Sequence, residues 1–223
     1  MGKKMIEVMV NGKPLITPAK NTLAVPTQAL ADAIIAEQPK TQNPKPTTLA
    51  QRPLTSIAYT AIDRIAGEES TIIEVLLVYL DTDTLSYRAS GSEALVKKQK
   101  EQWDPVLARL NQTLGVTWQI TSGVMPIDQP PELHKAVEKY LLSLNAMQLS
   151  AVSILSSSLS SLALAVAVLE RHITAEEAFR LSRLEEDHQA EQWGRDDEVE
   201  TRALRLKAEI SDGARFLDLL STP

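Results

Sequence analysis

The sequence predicts an α+β fold in which a small β-rich N-terminal domain precedes a larger all-helical C-terminal domain. Short extended segments, each ended by a turn residue or a proline, are confined to the first few dozen residues. From Pro130 onward, apolar residues recur at the three- and four-residue spacing of helices. Only 4% of the residues are aromatic in a chain that is 43% hydrophobic, so aliphatic side chains must fill the core. Such a core favours helices packed on helices.

The N-terminal domain is expected to span residues 1–50 and to contain a hairpin and one helix. Residues 6–10 alternate in polarity as a half-buried strand does, and Asn11-Gly12 is a strong signal for a two-residue hairpin turn. Two more extended pieces follow, each ended by a proline. Thr27 is a suitable N-cap for a helix that runs to about Gln38.

The segment 39–53 is predicted to be a loop between the two domains. It carries four prolines together with several Thr, Gln and Asn residues, a composition typical of linkers. The helical domain is therefore expected to span residues 51–223.

The first half of the helical domain contains two clear helical patterns and one ambiguous segment. Residues 54–65 and 92–114 have helical spacing, and Pro105 is expected to begin a new helix inside the second pattern. Residues 71–80 are rich in β-branched side chains, yet they also present a helical apolar face, and we favour a helix. Residues 116–120 are predicted to be a short strand.

An uncharged segment of 29 residues, Leu141 to Leu169, is long enough to cross a bilayer. Eight of its residues are serine, and its large aliphatic side chains recur at helical spacing with the small residues largely between them. A membrane span does not require this pattern, whereas a central helix with close neighbours does. We therefore predict one buried central helix rather than a transmembrane segment.

The last fifty residues are predicted to form a helical hairpin. Thr174 and Glu177 form a capping box that begins a helix ending near Trp193-Gly194. A second helix is expected over about 197–220. Its inward face is predicted to contain Val199, Ala203, Leu206, Ile210, Ala214 and Leu217.

The strongest enzymatic pattern is Asp81 and Asp83, which follow an apolar run. Haloacid-dehalogenase-type phosphatases place a nucleophilic and an acid/base aspartate two residues apart at the end of a strand. Here Leu85 stands where that motif has Thr or Val, and no alternation of strands and helices follows. Asp and Thr between two segments more often form a cap or a turn. The phosphatase is therefore the weaker alternative.

Other catalytic, cofactor and metal motifs are missing from the sequence. There is no cysteine, the three histidines lie far apart, and the eight glycines form no phosphate-binding loop. His188 stands between charged residues and is expected at the surface. We therefore expect no catalytic residue, no cofactor and no metal site.

The charge and the N-terminal residues indicate where such a protein works. A net charge of −6 disfavours binding to nucleic acid. The first residues resemble neither a signal peptide nor a transit peptide, and we expect a location in a bacterial cytoplasm with no stable membrane insertion.

The candidate partner-binding residues are Glu185, Gln189 and Trp193, which form one row on the first helix of the C-terminal hairpin. Glu185 lies on or beside the stripe that should be apolar. It either reaches solvent from the flank of that stripe or pairs with a basic side chain of a partner at a contact surface. Trp193 is either a core anchor or an exposed binding hot spot.

Five segments, taken in order, resemble the mitochondrial and alphaproteobacterial assembly chaperones for the alpha subunit of ATP synthase, the Atp-twelve family. The segments are NGKPLITP (11–18), PLTSIAYTAID (53–63), DTDTLSYRA (81–89), EQWDP (101–105), and SRLEEDHQ (182–189) followed by WG (193–194). The chain departs from the family at Gln38, where a tryptophan is expected after Glu37.

The resemblance implies a β-rich N-terminal domain, a helical C-terminal domain and no enzymatic activity. It further implies that the protein binds the unassembled alpha subunit of the F-type catalytic head before the beta subunit does, and that Glu185 matches an essential glutamate. We expect a monomer, with the mitochondrial matrix as the location of eukaryotic relatives. A helical adaptor for some other partner is the alternative.

Overall fold

The structure, a computed structural model, describes residues 5–39, 48, 51–123, 125–194 and 197–222. The strands are β1 (Ile6–Glu7), β2 (Met9–Val10), β3 (Lys13–Pro14), β4 (Ala24–Val25), β5 (Tyr87–Arg88) and β6 (Thr121–Ser122). The helices are α1 (Gln28–Ala36), α2 (Pro53–Thr60), α3 (Glu69–Thr82), α4 (Glu93–Leu114), α5 (Pro131–Leu142), α6 (Ala146–Leu159), α7 (Leu162–Leu169), α8 (Ala175–Ser182), α9 (Leu184–Trp193) and α10 (Asp197–Ser221). A small β region followed by helices confirms the predicted α+β class.

The N-terminal strands form the predicted hairpin. β2 pairs with β3 in antiparallel register, with Met9 opposite Pro14. Asn11 and Gly12, at the turn, have positive φ angles of 51° and 75° respectively, as a type I′ turn requires. β4 pairs with β1 beside this hairpin.

Helix α1 joins the β region to the helical part of the chain. The Thr27 hydroxyl caps α1 by accepting a hydrogen bond from the Leu30 N–H, and it donates one to the Leu219 carbonyl oxygen at 2.7 Å. α1 thus packs against α10. At the other end of α1, the Glu37 carboxylate accepts hydrogen bonds from the N–H groups of Leu54 and Thr55, which begin α2.

The predicted linker lies mostly outside the described residues, which omit 40–47, 49 and 50. Its loop conformation and the division of the chain at residue 50 stay predictions. Gln38, at the position where the family tryptophan was expected, is buried and donates a hydrogen bond from Nε2 to Thr55 Oγ1 at 3.0 Å. A buried polar side chain therefore occupies this position.

The helix predicted over 54–65 is present but changes type near its end. α2 continues into a five-residue π-helix, Ala61–Ile65. This turn carries Asp63, whose carboxylate accepts hydrogen bonds from the Thr17 hydroxyl, the Ala19 N–H and the Asn21 side chain. Burial alone would raise the pKa of Asp63, but these hydrogen bonds outweigh it and hold the pKa below its usual value. These hydrogen bonds join the β region to the π-helix that follows α2.

The middle of the chain confirms one prediction and corrects two. α3 is the helix favoured for residues 71–80. α4 runs unbroken through Pro105, so the prediction of a new helix start there was wrong; the fixed φ of proline is compatible with a helix, and one backbone hydrogen bond is lost. Residues 116–120 are not a strand, because Asn111 and Gln129 bind this segment through side chains. The strand β6, just beyond it, pairs in parallel with β5.

The uncharged segment forms two buried helices, α6 and α7, where one was predicted. Ser160, between them, has a φ of 50°, and the hydroxyl of Ser161 caps α7 by accepting a hydrogen bond from the Leu164 N–H. Nearly every side chain of α7 is buried. Among the described residues, no helix combines the length and the apolar character that crossing a membrane requires.

The C-terminal hairpin also contains one more break than predicted. The capping box of Thr174 and Glu177 is present, but the helix ends at Ser182, and α9 begins after Arg183. α10 follows and packs against α8 and, most extensively, α6. Val199 is half-exposed, so its predicted inward position was wrong. It precedes the part of α10 that reaches the core.

Candidate partner-binding site

Helix α9 is held against α4 by a buried glutamine. Gln99 of α4 is 0% exposed, and its Nε2 donates a hydrogen bond of 2.6 Å to Glu185 Oε1. The other end of the Gln99 amide accepts a hydrogen bond from the Ala89 N–H at 2.9 Å. Glu185 therefore lies half-buried at the α4–α9 contact, with a partner in its own chain.

Two further contacts fix α9 beside α4. His188 is buried, with Nε2 at 3.3 Å from the Ser92 hydroxyl that caps α4, so its predicted surface position was wrong. Ser92 lies far away in sequence, and the charged neighbours of His188 gave no indication of this contact. Lys98 forms a 2.8 Å ion pair with Glu191, and this hydrogen bond and charge lower the pKa of Glu191. The position of α9 is thus set by polar contacts along its α4 side.

The opposite side of α9 lines a surface cleft of about 260 Å³ against the start of α10. Gln189 and Trp193 both line this cleft, together with Val199 of α10. Trp193 is 78% exposed, which identifies it as a surface side chain rather than a core anchor. We name this feature the α9–α10 cleft.

The three sequence-predicted residues therefore separate into two groups. Gln189 and Trp193 share the α9–α10 cleft, whereas Glu185 contacts Gln99 on the α4 side. The cleft residues Glu186, Asp187 and Val199 were not among the predicted binding residues. The charge pattern could have indicated the two acidic cleft residues, because three consecutive acidic residues, Glu185, Glu186 and Asp187, lie in the first turn of α9.

Asp81 and Asp83 do not form a catalytic pair. Asp83 is 0% exposed and accepts hydrogen bonds from the Leu85 N–H, the Ser161 hydroxyl and the Ala163 N–H. Asp81 instead accepts a hydrogen bond from the Gln129 N–H and lies 3.1 Å from His134 Nε2. The two carboxylates serve separate structural contacts, and the phosphatase alternative is wrong.

Asp83 has an unusual titration behaviour for a structural carboxylate. Burial raises its pKa to about 6, although the donors from Ala163, Ser161 and Leu85 favour the ionised form. Its position at the break between α6 and α7 explains why it is buried. Among the described residues, no group of three or more His, Asp or Glu side chains is placed to hold a metal ion.

Comparisons with known proteins define the relatives of this chain. The family described as ATP12 chaperone protein matches residues 2–111. The crystal structure of Atp12 from Paracoccus denitrificans is similar with a TM-score of 0.89 and 38% identity, over 96% of this chain and 91% of that one. The structure of a point mutant of the same protein gives the same values. The mitochondrial protein atp12 of Schizosaccharomyces pombe is 28% identical over 200 residues, which are 84% of this chain and 68% of that protein.

These relatives define the class of the protein as a chaperone rather than an enzyme. More particularly, the chain belongs to the ATP12 chaperone family.

Proposed function

We propose that this protein is an assembly chaperone for ATP synthase that binds the unassembled alpha subunit of the F-type catalytic head. It would prevent aggregation of that subunit until the beta subunit takes its place. The similarity to Atp12 of Paracoccus denitrificans over 96% of the chain is the observation that carries the proposal. A subunit made before its neighbours exposes a large interface, and covering that interface suppresses association with wrong partners.

The proposed contact surface is the outer side of α8 and α9 with the start of α10. Trp193 and Gln189 supply an exposed aromatic and an amide group in the α9–α10 cleft. Glu185 is proposed as an electrostatic latch whose charge attracts a basic side chain of the alpha subunit. Among the described residues only Gln99 donates a hydrogen bond to Glu185, and it binds Oε1. The amide of Gln99 is uncharged, so this hydrogen bond supplies no opposite charge.

The latch is tested with two variants at the same position. Glu185→Gln keeps an oxygen that can accept the Gln99 hydrogen bond but removes the charge, and Glu185→Lys reverses the charge. We expect Glu185→Lys to abolish binding of the alpha subunit and Glu185→Gln to weaken it by about tenfold. The melting temperature of Glu185→Gln should stay within a few degrees of wild type, whereas Glu185→Lys also removes the acceptor of the buried Gln99 amide and should melt lower while remaining folded. Co-purification of co-expressed alpha subunit and thermal unfolding are the measurements.

Glu74→Lys on α3 is the matched control, because Glu74 is exposed and lies on a different helix. It should leave binding unchanged. Unfolding of both Glu185 variants would show that Glu185 is a structural residue and would remove the latch. An alpha subunit that stays insoluble and unbound with the wild-type chaperone would remove the proposed function itself.

The proposed oligomeric state and cellular location follow from the same proposed function. A chaperone that masks one subunit needs one copy per client, and we propose a monomer in the bacterial cytoplasm. Eukaryotic relatives would act in the mitochondrial matrix. Size-exclusion chromatography with light scattering of the purified chain, alone and with the alpha subunit, tests this stoichiometry.

A further inference from the structure

The α9–α10 cleft has an apolar floor that is open to solvent. Trp193 is 78% exposed and Val199 is 47% exposed, and both line the cleft beside Ala190 and Gly194. The other two tryptophans of the chain, Trp103 and Trp118, are buried. Tryptophan is one of the residue types enriched among the hot spots of protein interfaces.

The walls of the cleft are acidic. Glu186, Asp187 and Glu200 line it, and the one basic residue among its described lining residues, Arg183, is almost buried with a nitrogen 3.7 Å from Asp187. The surrounding segment 183–200 contains eight acidic and two basic residues, a formal charge of −6. This equals the net charge of the whole chain, so the charges of all other residues cancel. The cleft therefore lies within the segment that carries the excess negative charge.

We propose that the α9–α10 cleft binds a basic amphipathic segment of the client, with an apolar side chain on Trp193 and Val199 and lysine or arginine side chains at the acidic walls. This proposal rests on the proposed chaperone function and specifies the chemistry of the surface that is recognised. Negative walls around an apolar floor match a partner that carries positive charge on both sides of an apolar anchor. They also repel acidic segments, which supplies selectivity.

A model peptide tests the chemistry without any client. The probe is a synthetic helical peptide of leucine and lysine with one apolar and one basic face, and its counterpart has glutamate in place of every lysine. Because Trp193 is the exposed tryptophan, acrylamide quenching reports on the cleft. The basic peptide should shift the emission to shorter wavelength and reduce quenching, and its affinity should fall with added salt. The acidic peptide should do neither.

Two variants locate the binding by fluorescence anisotropy of the labelled basic peptide. Glu186→Lys combined with Asp187→Lys should weaken binding by at least about tenfold. Glu74→Lys combined with Glu138→Lys changes the charge by the same amount on exposed positions of α3 and α5 and should have a much smaller effect. Trp193→Ala should also weaken binding, whereas Val78→Ala, at an exposed apolar position of α3, should not.

Failure of this proposal is distinguishable from failure of the proposed function. If the alpha subunit binds equally well to wild type and to the Glu186 and Asp187 double variant, the cleft is not the recognition surface, although the chaperone function stands. If the alpha subunit does not bind at all, the peptide still decides the chemistry of the cleft. Equal binding of the basic and acidic peptides, or binding without a change in Trp193 emission, overturns the proposal.

Discussion

At the scale of single residues, Asp83 shows how a buried carboxylate can organise a helix break. Its carboxylate oxygens accept hydrogen bonds from the hydroxyl of Ser161 and the N–H of Ala163, two residues at the start of α7. A cap or turn was the structural alternative to catalysis predicted for Asp83, and the structure confirms that alternative. The capped helix was not predictable from local sequence, because Ala163 of α7 lies 80 residues further along the chain.

Asp83 also gives a prediction on pH dependence. Its pKa is raised to about 6 in the folded chain, above the value of about 3.9 for an unfolded aspartate. The folded state therefore binds more protons between these values, and the contribution of Asp83 to stability falls as the pH rises from about 4 to 7, by on the order of 3 kcal/mol. Asp83→Asn removes this contribution.

Denaturant unfolding of wild type and Asp83→Asn across this pH range checks the prediction. The difference in unfolding free energy, wild type minus variant, should decrease with increasing pH. A difference that increases with pH would mean that the pKa of Asp83 is lowered, because the hydrogen bonds then outweigh its burial.

In the candidate site, too, helical spacing predicted which residues are neighbours along α9 but not which distant residues they contact. Helical spacing placed Glu185, Gln189 and Trp193 on one row, and this spacing is correct for neighbouring turns. It did not reveal Gln99, which is buried beneath Glu185, because a polar residue on a charged helix looks like a surface residue. The exposure of Trp193 also depends on how α10 returns, which local sequence does not determine.

At the scale of the elements, most helices were predictable and their internal breaks were not. The capping residues Thr27 and Thr174 carry a local signal, since their side chains bind N–H groups within the same turn. The breaks at Ser160 and Arg183 involve neither Gly nor Pro. Ser160 is held by Thr84, whose N–H and hydroxyl both donate to its carbonyl oxygen. Long-range contacts of this kind have no local signature.

The α6–α10 contact gives a prediction at this scale. A Cβ atom added at Gly213 would lie 3.1 Å from two carbon atoms of Leu155, which is fully buried. Gly213→Ala gains about 1 kcal/mol of helix propensity, but we expect overpacking of 1–3 kcal/mol, as an approximate range, to exceed it. The variant should have a lower melting temperature than wild type.

Ser211→Ala is the matched control for Gly213→Ala, because Ser211 is exposed on the same helix. Thermal unfolding should show unchanged or slightly raised stability for the control. A stabilised Gly213→Ala would mean that α6 and α10 move apart without cost.

At the scale of the whole molecule, the fold class was predictable from composition and periodicity, and the family from five short segments. The hydrophobic core explains why the arrangement of the helices was harder to predict. One cluster of buried side chains extends from Val8 and Leu23 in the β region to Phe216 and Leu220 in α10. Which helix covers which neighbour depends on this shared packing, and α6 is central to it.

The continuous core predicts that the β region unfolds together with the helices. The Val8 N–H donates to the Leu23 carbonyl oxygen at 2.9 Å, and we expect its hydrogen exchange to require the same opening free energy as amides in the middle of α6. Native-state hydrogen exchange at increasing denaturant measures both. A much lower value for Val8 would support a separately unfolding N-terminal domain and the predicted boundary near residue 50.

The uneven distribution of charge has a consequence for how the molecule moves before any contact forms. The segment 183–200 carries a formal charge of −6 and the remaining residues sum to zero, so we expect the molecule to have an electric dipole with its negative end at the α9–α10 corner. In the field of a positively charged surface it would rotate during diffusion, so that the α9–α10 corner arrives first. A nascent subunit with a basic patch would then be captured in a defined orientation at a rate that ionic strength controls.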